Sequence, residues 1–103
     1  MKAQISELSC QYDARASFYG KAQIIRESDI GLETLCSYGV PVVQKILDGT
    51  VDSVKLSSSW DSSQTTLRHV KEYLKQIGHP FGDLTKAEIT KKIKENPSLI
   101  GEF

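Results

Sequence analysis

Four short runs of strand-forming residues crowd the chain between positions 21 and 56, with only a few residues between one run and the next, and that spacing leaves few folds open. Residues 21–27 (KAQIIRE) form the first. Residues 32–38 (LETLCSY) alternate, with Leu32, Thr34, Cys36 and Tyr38 on one side. Residues 41–46 (PVVQKI) form the third run, with Pro41 tolerated at a strand start, and residues 51–56 (VDSVKL) the fourth. The links carry turn chemistry: Ser28-Asp29-Ile30-Gly31, then Gly39, then Asp48-Gly49, the strongest hairpin signal in the chain. Parallel strands need crossovers of about a dozen residues or more, for which there is no room, so the pattern predicts an antiparallel meander.

Helical spacing follows. After a polar loop at 57–63 that holds the only tryptophan, Trp60, the residues Leu67, Val70, Leu74 and Ile77 make one apolar stripe. The stripe predicts a helix over about 63–77, with Ser62 or Ser63 as N-cap, Gly78 at C′ and Pro80 as a stop. Thr85-Lys86-Ala87-Glu88 is a capping-box pattern, and Leu84 and Ile89 stand at the positions of a hydrophobic staple. The helix it opens is expected to end near Glu95, before Asn96-Pro97; with only Ile89 and Ile93 as apolar stripe it must dock to persist. The expected fold is α+β: a four-stranded antiparallel β-meander packed by one amphipathic α-helix, with a short C-terminal helix. Residues 1–20 are read as an irregular segment packing on the domain, 21–78 as the ββββα core, and 79–103 as a C-terminal helix and tail, one domain in all. One helix covers one face of the sheet, so the N-terminal segment and the second helix are the candidates to cover the other.

Charge narrows the function classes. The 13 basic and 13 acidic residues cancel, and both halves are balanced: six Lys/Arg against seven Asp/Glu in residues 1–60, seven against six in 61–103. An electrostatic role must therefore rest on a local patch. Two cysteines, Cys10 and Cys36, are too few for a disulfide framework or a zinc site and are expected as buried or half-buried free thiols. No apolar run resembles a signal peptide or reaches the roughly 20 residues of a membrane span, so the expected location is the cytoplasm.

The candidate chemistry is sparse. His69 falls across the helical wheel from Leu67, toward solvent, and His79 sits in a Gly-His-Pro turn. Neither belongs to a nucleophile or metal motif, a pairing of His69 with Cys10 or Cys36 has no local signature, and no phosphate loop, GxSxG or HExxH is present. No enzyme activity, cofactor or metal is expected. Arg68, Lys71 and Lys75 share one edge of the helix's polar face, while Arg15, Lys21 and Arg26 gather near the first strand. With Tyr12, Tyr19 and Trp60 they make a basic, aromatic set of the kind that grips single-stranded nucleic acid. The plainer reading is a solvated helix face, interrupted by Glu72. Phe18, Tyr38 and Tyr73 are expected in the core or at its edge. Trp60 either plugs the helix–sheet edge or anchors a partner, and Phe81 and Phe103 could extend such an anchor patch.

Three blocks carry a resemblance. The run Tyr12-Asp13-Ala14-Arg15-Ala16-Ser17-Phe18-Tyr19-Gly20-Lys21-Ala22, the segment Leu35-Cys36-Ser37-Tyr38 followed by Val40 to Val43, and Trp60 through Thr65-Thr66-Leu67-Arg68-His69-Val70-Lys71-Glu72-Tyr73-Leu74-Lys75-Gln76 resemble, in that order, a small domain family of unknown function common in phages and mobile elements of Gram-positive bacteria. The resemblance spans residues 12–77, about two thirds of the chain; the part after Gly78 departs from it. It implies a bacterial host cell as the setting, and a structural explanation of its motif residues is a polar cluster of Asp13, Arg15 and His69 tying the N-terminal segment to the helix. Small proteins of such elements often bind host machinery stoichiometrically. The resemblance implies that setting and no biochemistry; by analogy of setting and size the expected function is an anti-CRISPR inhibitor of a type II Cas effector nuclease or its guide-RNA complex, with a small nucleic-acid-binding module as the alternative. The candidate partner-binding residues are Arg15, Tyr19, Lys21, Trp60, Arg68, Lys71, Lys75 and Phe81. The partner is a host protein or ribonucleoprotein, and an edge strand pairing with its twin leaves a homodimer open.

Overall fold

A computed structural model of the chain describes residues 3–13, 18, 20–47, 54–101 and 103. Five strands, β1 (Ala3–Glu7), β2 (Ala22–Glu27), β3 (Leu32–Ser37), β4 (Val40–Ile46) and β5 (Val54–Leu56), pair in sequence order into one sheet, antiparallel throughout. Two helices follow, α1 (Gln64–Gln76) and α2 (Lys86–Glu95), with single 3-10 turns at Pro80–Asp83 and Pro97–Leu99. The α+β class and the four expected strands are present as β2 to β5. The Asp48-Gly49 turn, with Asp52, lies outside the described residues, but the register Val43↔Leu56, Gln44↔Lys55, Lys45↔Val54 is that of a hairpin.

The N-terminal segment corrects the sequence reading: it holds a fifth strand. Ala3–Glu7 pairs residue for residue with β2, from Ala3↔Glu27 to Glu7↔Gln23, yet all five of its residues are exposed. Backbone bonding holds it, not burial, so it shows no hydrophobic alternation to read.

The β3–β4 hairpin is tighter than expected. Ser37 pairs directly with Val40, so Tyr38 and Gly39 alone make the turn, with φ of +52° and +78°. Positive φ at both positions is the type I′ geometry that matches strand twist, and it usually takes Asn-Gly. Tyr38, expected near the core, is instead lifted into solvent at 54% exposure. A bulge follows: Leu35 faces Val43 while Cys36 faces Pro41, leaving Val42 as the extra residue. Pro41 has no N–H to offer the ladder, and a bulge accommodates that.

One face of the sheet, bearing Ala22, Leu35, Val43 and Leu56, joins Val70, Tyr73 and Leu74 of α1 in the core, with Leu8, Phe18, Phe81 and Ile89. Trp60 is 5% exposed and belongs to this core; it plugs, and the anchor reading falls. Phe81 is buried as well, because His79 Nδ1 accepts from the Phe81 N–H at 3.1 Å and starts the 3-10 turn that tucks the ring inward. Phe103 stays exposed. The local signals at the helix ends hold: Ser63 Oγ accepts from Thr66 N at 3.0 Å, Gly78 takes φ +77°, and the Thr85–Glu88 capping box is complete. The tail runs back along β5, where Gly101 N donates to Leu56 O at 2.8 Å. On the opposite sheet face Ile5 and Ile46 remain exposed, so the expected second cover is not complete. No helix among the described residues is long and apolar enough to cross a membrane.

Neither cysteine forms a disulfide; Cys36 is buried and Cys10 half-buried. Burial pushes the Cys36 thiol up, and the thiolate is the reactive form. In the native protein a maleimide is expected to label Cys10 alone, with Cys36 reacting only in denaturant; mass spectrometry of the tryptic peptides separates the two.

Candidate functional site

Three segments distant in sequence meet along α1. The N-terminal arm is fixed by Arg68, Glu72 and Gln76, which recur every four residues and so share one stripe of the helix. Glu72, expected to interrupt a solvated face, is 2% exposed. Its Oε1 accepts the backbone N–H groups of Tyr12 at 2.8 Å and Asp13 at 2.7 Å, and Oε2 accepts from Gln76 Nε2 at 2.8 Å. Gln76 also donates to Ser9 O at 2.7 Å. The Arg68 guanidinium forks onto the Asp13 carboxylate at 3.1 and 3.3 Å. The polar tie between arm and helix therefore exists, with Arg68 as a partner of Asp13.

His69 is also corrected. It is 1% exposed, because the hairpin and Phe18 close over a flank of α1 that a single apolar stripe leaves wet. Phe18 meets its ring edge-on at 4.5 Å between centroids, and Tyr38 covers it at 5.8 Å. His69 Nδ1 lies 2.8 Å from Ser37 Oγ, which lies 3.1 Å from Thr66 Oγ1. A serine against a histidine is the first half of a nucleophile–base arrangement. Here both side chains are buried, so the pair offers no atom to solvent and serves as an interior polar contact.

A second polar cluster lies across α1. The buried Glu33 accepts from Tyr73 Oη at 2.5 Å and from Arg26 at 3.0 and 2.8 Å. It forms part of a cleft of about 380 Å³ with Gln4, Ser6 and Gln76 along the wall.

Of the expected partner-binding residues, Arg68, Lys71 and Lys75 do come together. With Tyr12, Asp13 and Glu72 they line a shallow cleft of about 240 Å³. Lys21 stands apart, exposed, its Nζ 5.6 Å from the centre of the Tyr38 ring. Trp60 and Phe81 are buried and leave the set; Arg15 and Tyr19 lie outside the described residues. Sequence reading missed the lysines of α2. Lys86, Lys91 and Lys94, with Ala87 and Thr90, form an exposed strip of that helix. The spacing is visible in the sequence: 86, 90 and 94 repeat every four residues, along one line beside the Ile89–Ile93 stripe.

Burial also changes the charge argument. Glu33 and Glu72 are withdrawn into the interior, and Asp13 is taken by Arg68. The ion pairs found among the described residues are Arg26–Glu33, Arg68–Asp13 and Lys86–Asp61, which leaves Lys71, Lys75, Lys91 and Lys94 outside them. Glu33 and Asp13 each take an arginine with them, so Glu72 is the one carboxylate whose withdrawal shifts the surface balance toward the exposed lysines of α1 and α2. Lys71 also reaches the start of α2 electrostatically. The Glu88 carboxyl is held low chiefly by its hydrogen bonds with Thr85, with the Lys71 charge as a smaller contribution. Among the described residues no group of three or more metal-binding side chains occurs.

Comparison with curated proteins and with solved structures finds no match. A family model does match, over residues 6–96, which takes in all three motif blocks and α2 but leaves out most of β1. The chain belongs to that family, described as a family of unknown function (DUF8033).

Proposed function

We propose that this protein is a non-enzymatic binding protein whose lysine-bearing α1–α2 surface meets the phosphate backbone of a nucleic acid. The observation that carries the reading is the charge separation: the Glu72 carboxylate inside, and the ammonium groups of Lys71, Lys75, Lys91 and Lys94 outside the ion pairs of the described residues. Flexible ammonium groups on helices read phosphates and not base edges, so the affinity is expected to vary little with sequence. Tyr12, exposed beside Lys71 and Lys75, supplies an aromatic plane on which an unpaired base can stack, which favours single strands over duplex. The resemblance to phage and mobile-element domains bears on which nucleic acid is met. In that setting a guide RNA within a type II Cas effector is a fitting target, and the protein then acts as an anti-CRISPR inhibitor of the ribonucleoprotein.

Titration of labelled single-stranded RNA at low salt tests the surface. Binding is expected to weaken steeply with salt. The triple variant Lys71→Glu, Lys91→Glu, Lys94→Glu is expected to flatten the log–log salt slope by about 2, from roughly 0.7 per phosphate contact. No binding at low salt, or an unchanged slope in the triple variant, removes the reading. Cleavage of target DNA by guide-loaded effectors, with the protein in excess, tests the inhibitor. Full-rate cleavage across several orthologues leaves an RNA-binding module and removes the anti-CRISPR role.

A further inference from the structure

We infer that the cleft between β5, the His79–Phe81 turn and the end of α2 binds a small amphipathic anion, a carboxylate or phosphate head on an apolar body, with the head held by Lys55 and Lys92.

Three stretches of the chain build this cleft. Asn96-Pro97 stops α2, and the 3-10 turn Pro97–Leu99 redirects the chain. Ile100 and Gly101 then fasten the tail to β5, through the bridge to Leu56 and the Gly101–Leu56 hydrogen bond. The end of α2 and the tail therefore form one wall, and Val54 and Lys55 of β5 another. The third wall is the turn after α1, where His79 Nδ1 accepts from Phe81 N and the two rings meet edge-on at 4.8 Å between centroids. The space between the walls is about 450 Å³, larger than either cleft beside α1. It falls within the range of about 300–1,000 Å³ usual for small-molecule sites.

The lining sorts by burial. Val54 and Phe81 are buried and Leu99 half-buried, which gives an apolar floor. Lys55 and Lys92 are exposed at the rim, on two different elements, and neither belongs to the ion pairs of the described residues. Glu95 is the carboxylate of the lining, and the C-terminus of α2 adds about half a unit of negative charge. Two ammonium groups outweigh these, so the rim is positive and selects an anion. Ser98 Oγ donates to Asn96 Oδ1 at 2.6 Å, which leaves the Asn96 amide nitrogen as a further donor. Lysine acts as a point charge and takes a carboxylate or a phosphate alike. An anion without an apolar part leaves the floor wet, and an uncharged apolar molecule leaves the two ammonium groups unused. The site is separate from the α1–α2 lysine surface. Lys92 and Glu95 fall on the other flank of the Ile89–Ile93 stripe from Lys86, Thr90 and Lys94, and the two surfaces share no lining residue.

Amide NMR titration of the full chain with octanoate and with phenyl phosphate tests the site. Saturable shifts are expected at Lys55, Phe81, Lys92 and Leu99, with a dissociation constant below about 1 mM for the better probe. Octanoate ahead of phenyl phosphate assigns an aliphatic carboxylate, and the reverse order an aromatic phosphate. Inorganic phosphate and 1-octanol, each carrying one half of the chemistry, are expected to bind at least about tenfold more weakly. The double variant Lys55→Gln, Lys92→Gln is expected to weaken the better probe at least about tenfold. Lys21→Gln, which removes an exposed ammonium elsewhere, is expected to leave it unchanged. Glu95→Gln removes the opposing charge and is expected to tighten binding about two- to fivefold, a gain that a poorly folded variant does not give. Four results each overturn the inference: no saturable shift at these amides, a single half binding as tightly as the whole, a lysine double variant that binds like the parent, or weaker binding in Glu95→Gln.

Discussion

Alanine at position 72 lowers the stability of the fold by about 2–4 kcal/mol and releases the arm from Ser9 to Asp13 from α1. Glu72 is a buried carboxylate that takes two backbone N–H groups from the arm and an amide from Gln76. Hydrogen bonds to a charged acceptor contribute about 1.5–3 kcal/mol each, and a buried donor left without its acceptor costs about 1–3 kcal/mol. Truncation removes the shared acceptor of the part-buried Tyr12 and Asp13 N–H groups. The Arg68–Asp13 pair cannot compensate. It is half open to water on the Arg68 side, and pairs of that kind contribute about 0–1 kcal/mol. Glutamine at 72 retains one oxygen for the two N–H groups but turns its own amide toward the Gln76 amide. It is expected to cost about half as much as alanine. Urea titration measures both variants. Amide exchange at Tyr12 and Asp13 should rise far more than exchange in the middle of α1, because the arm opens before the helix does. If the two amides stay protected in Glu72→Ala, the arm is held by something other than this carboxylate.

That clasp also explains which parts of the fold were legible. β2 to β5, the Ser63 cap, the Thr85 box and the Gly78 terminus are written in local chemistry: alternation, turn residues and capping side chains a few positions apart. β1 was not legible because its strand character lies in backbone pairing with β2 while its side chains stay wet. His69 was misplaced for a related reason. A helical wheel finds the face toward one neighbour, and α1 has several, among them the sheet, the arm and the Ser37–Tyr38 hairpin. Trp60 and Phe81 sit in polar or turn-rich stretches whose composition does not say which way the rings point. The three blocks of the family resemblance meet through Asp13–Arg68, Phe18–His69 and Ser37–His69. Much of what made the sequence recognisable is therefore the packing of one seam. The lysine strip of α2 lies outside those blocks, on the part of the chain where the motif reading had least to say.

Removing one oxygen from the other face of α1 is expected to matter almost as much, and in a way that depends on pH. Tyr73→Phe deletes the hydroxyl that donates to the buried Glu33 carboxylate, leaving Arg26 as its remaining recorded donor; the expected loss near neutral pH is about 1.5–3 kcal/mol. Burial pushes the Tyr73 hydroxyl far above its ordinary value of 10.0, and the hydrogen bond to Glu33 and the Glu33 charge push it further. In the unfolded chain the same hydroxyl loses its proton near pH 10.0. Above that pH the folded state binds more protons than the unfolded state, so the stability contributed by Tyr73 is complete below pH 10 and declines as pH rises. The slope approaches about 1.4 kcal/mol per pH unit. Phenylalanine has no proton to hold, so the stability gap between parent and variant is expected to be constant from about pH 7 to 9 and then to narrow by roughly that slope. Cys36, also raised by burial, is common to both proteins and cancels in the difference. A gap that stays constant through pH 11 would mean that Tyr73 is not the buried proton holder the Glu33 cluster requires. A gap that closes identifies the Tyr73 proton as one whose burial beside Glu33 stabilises the fold until it is driven alkaline.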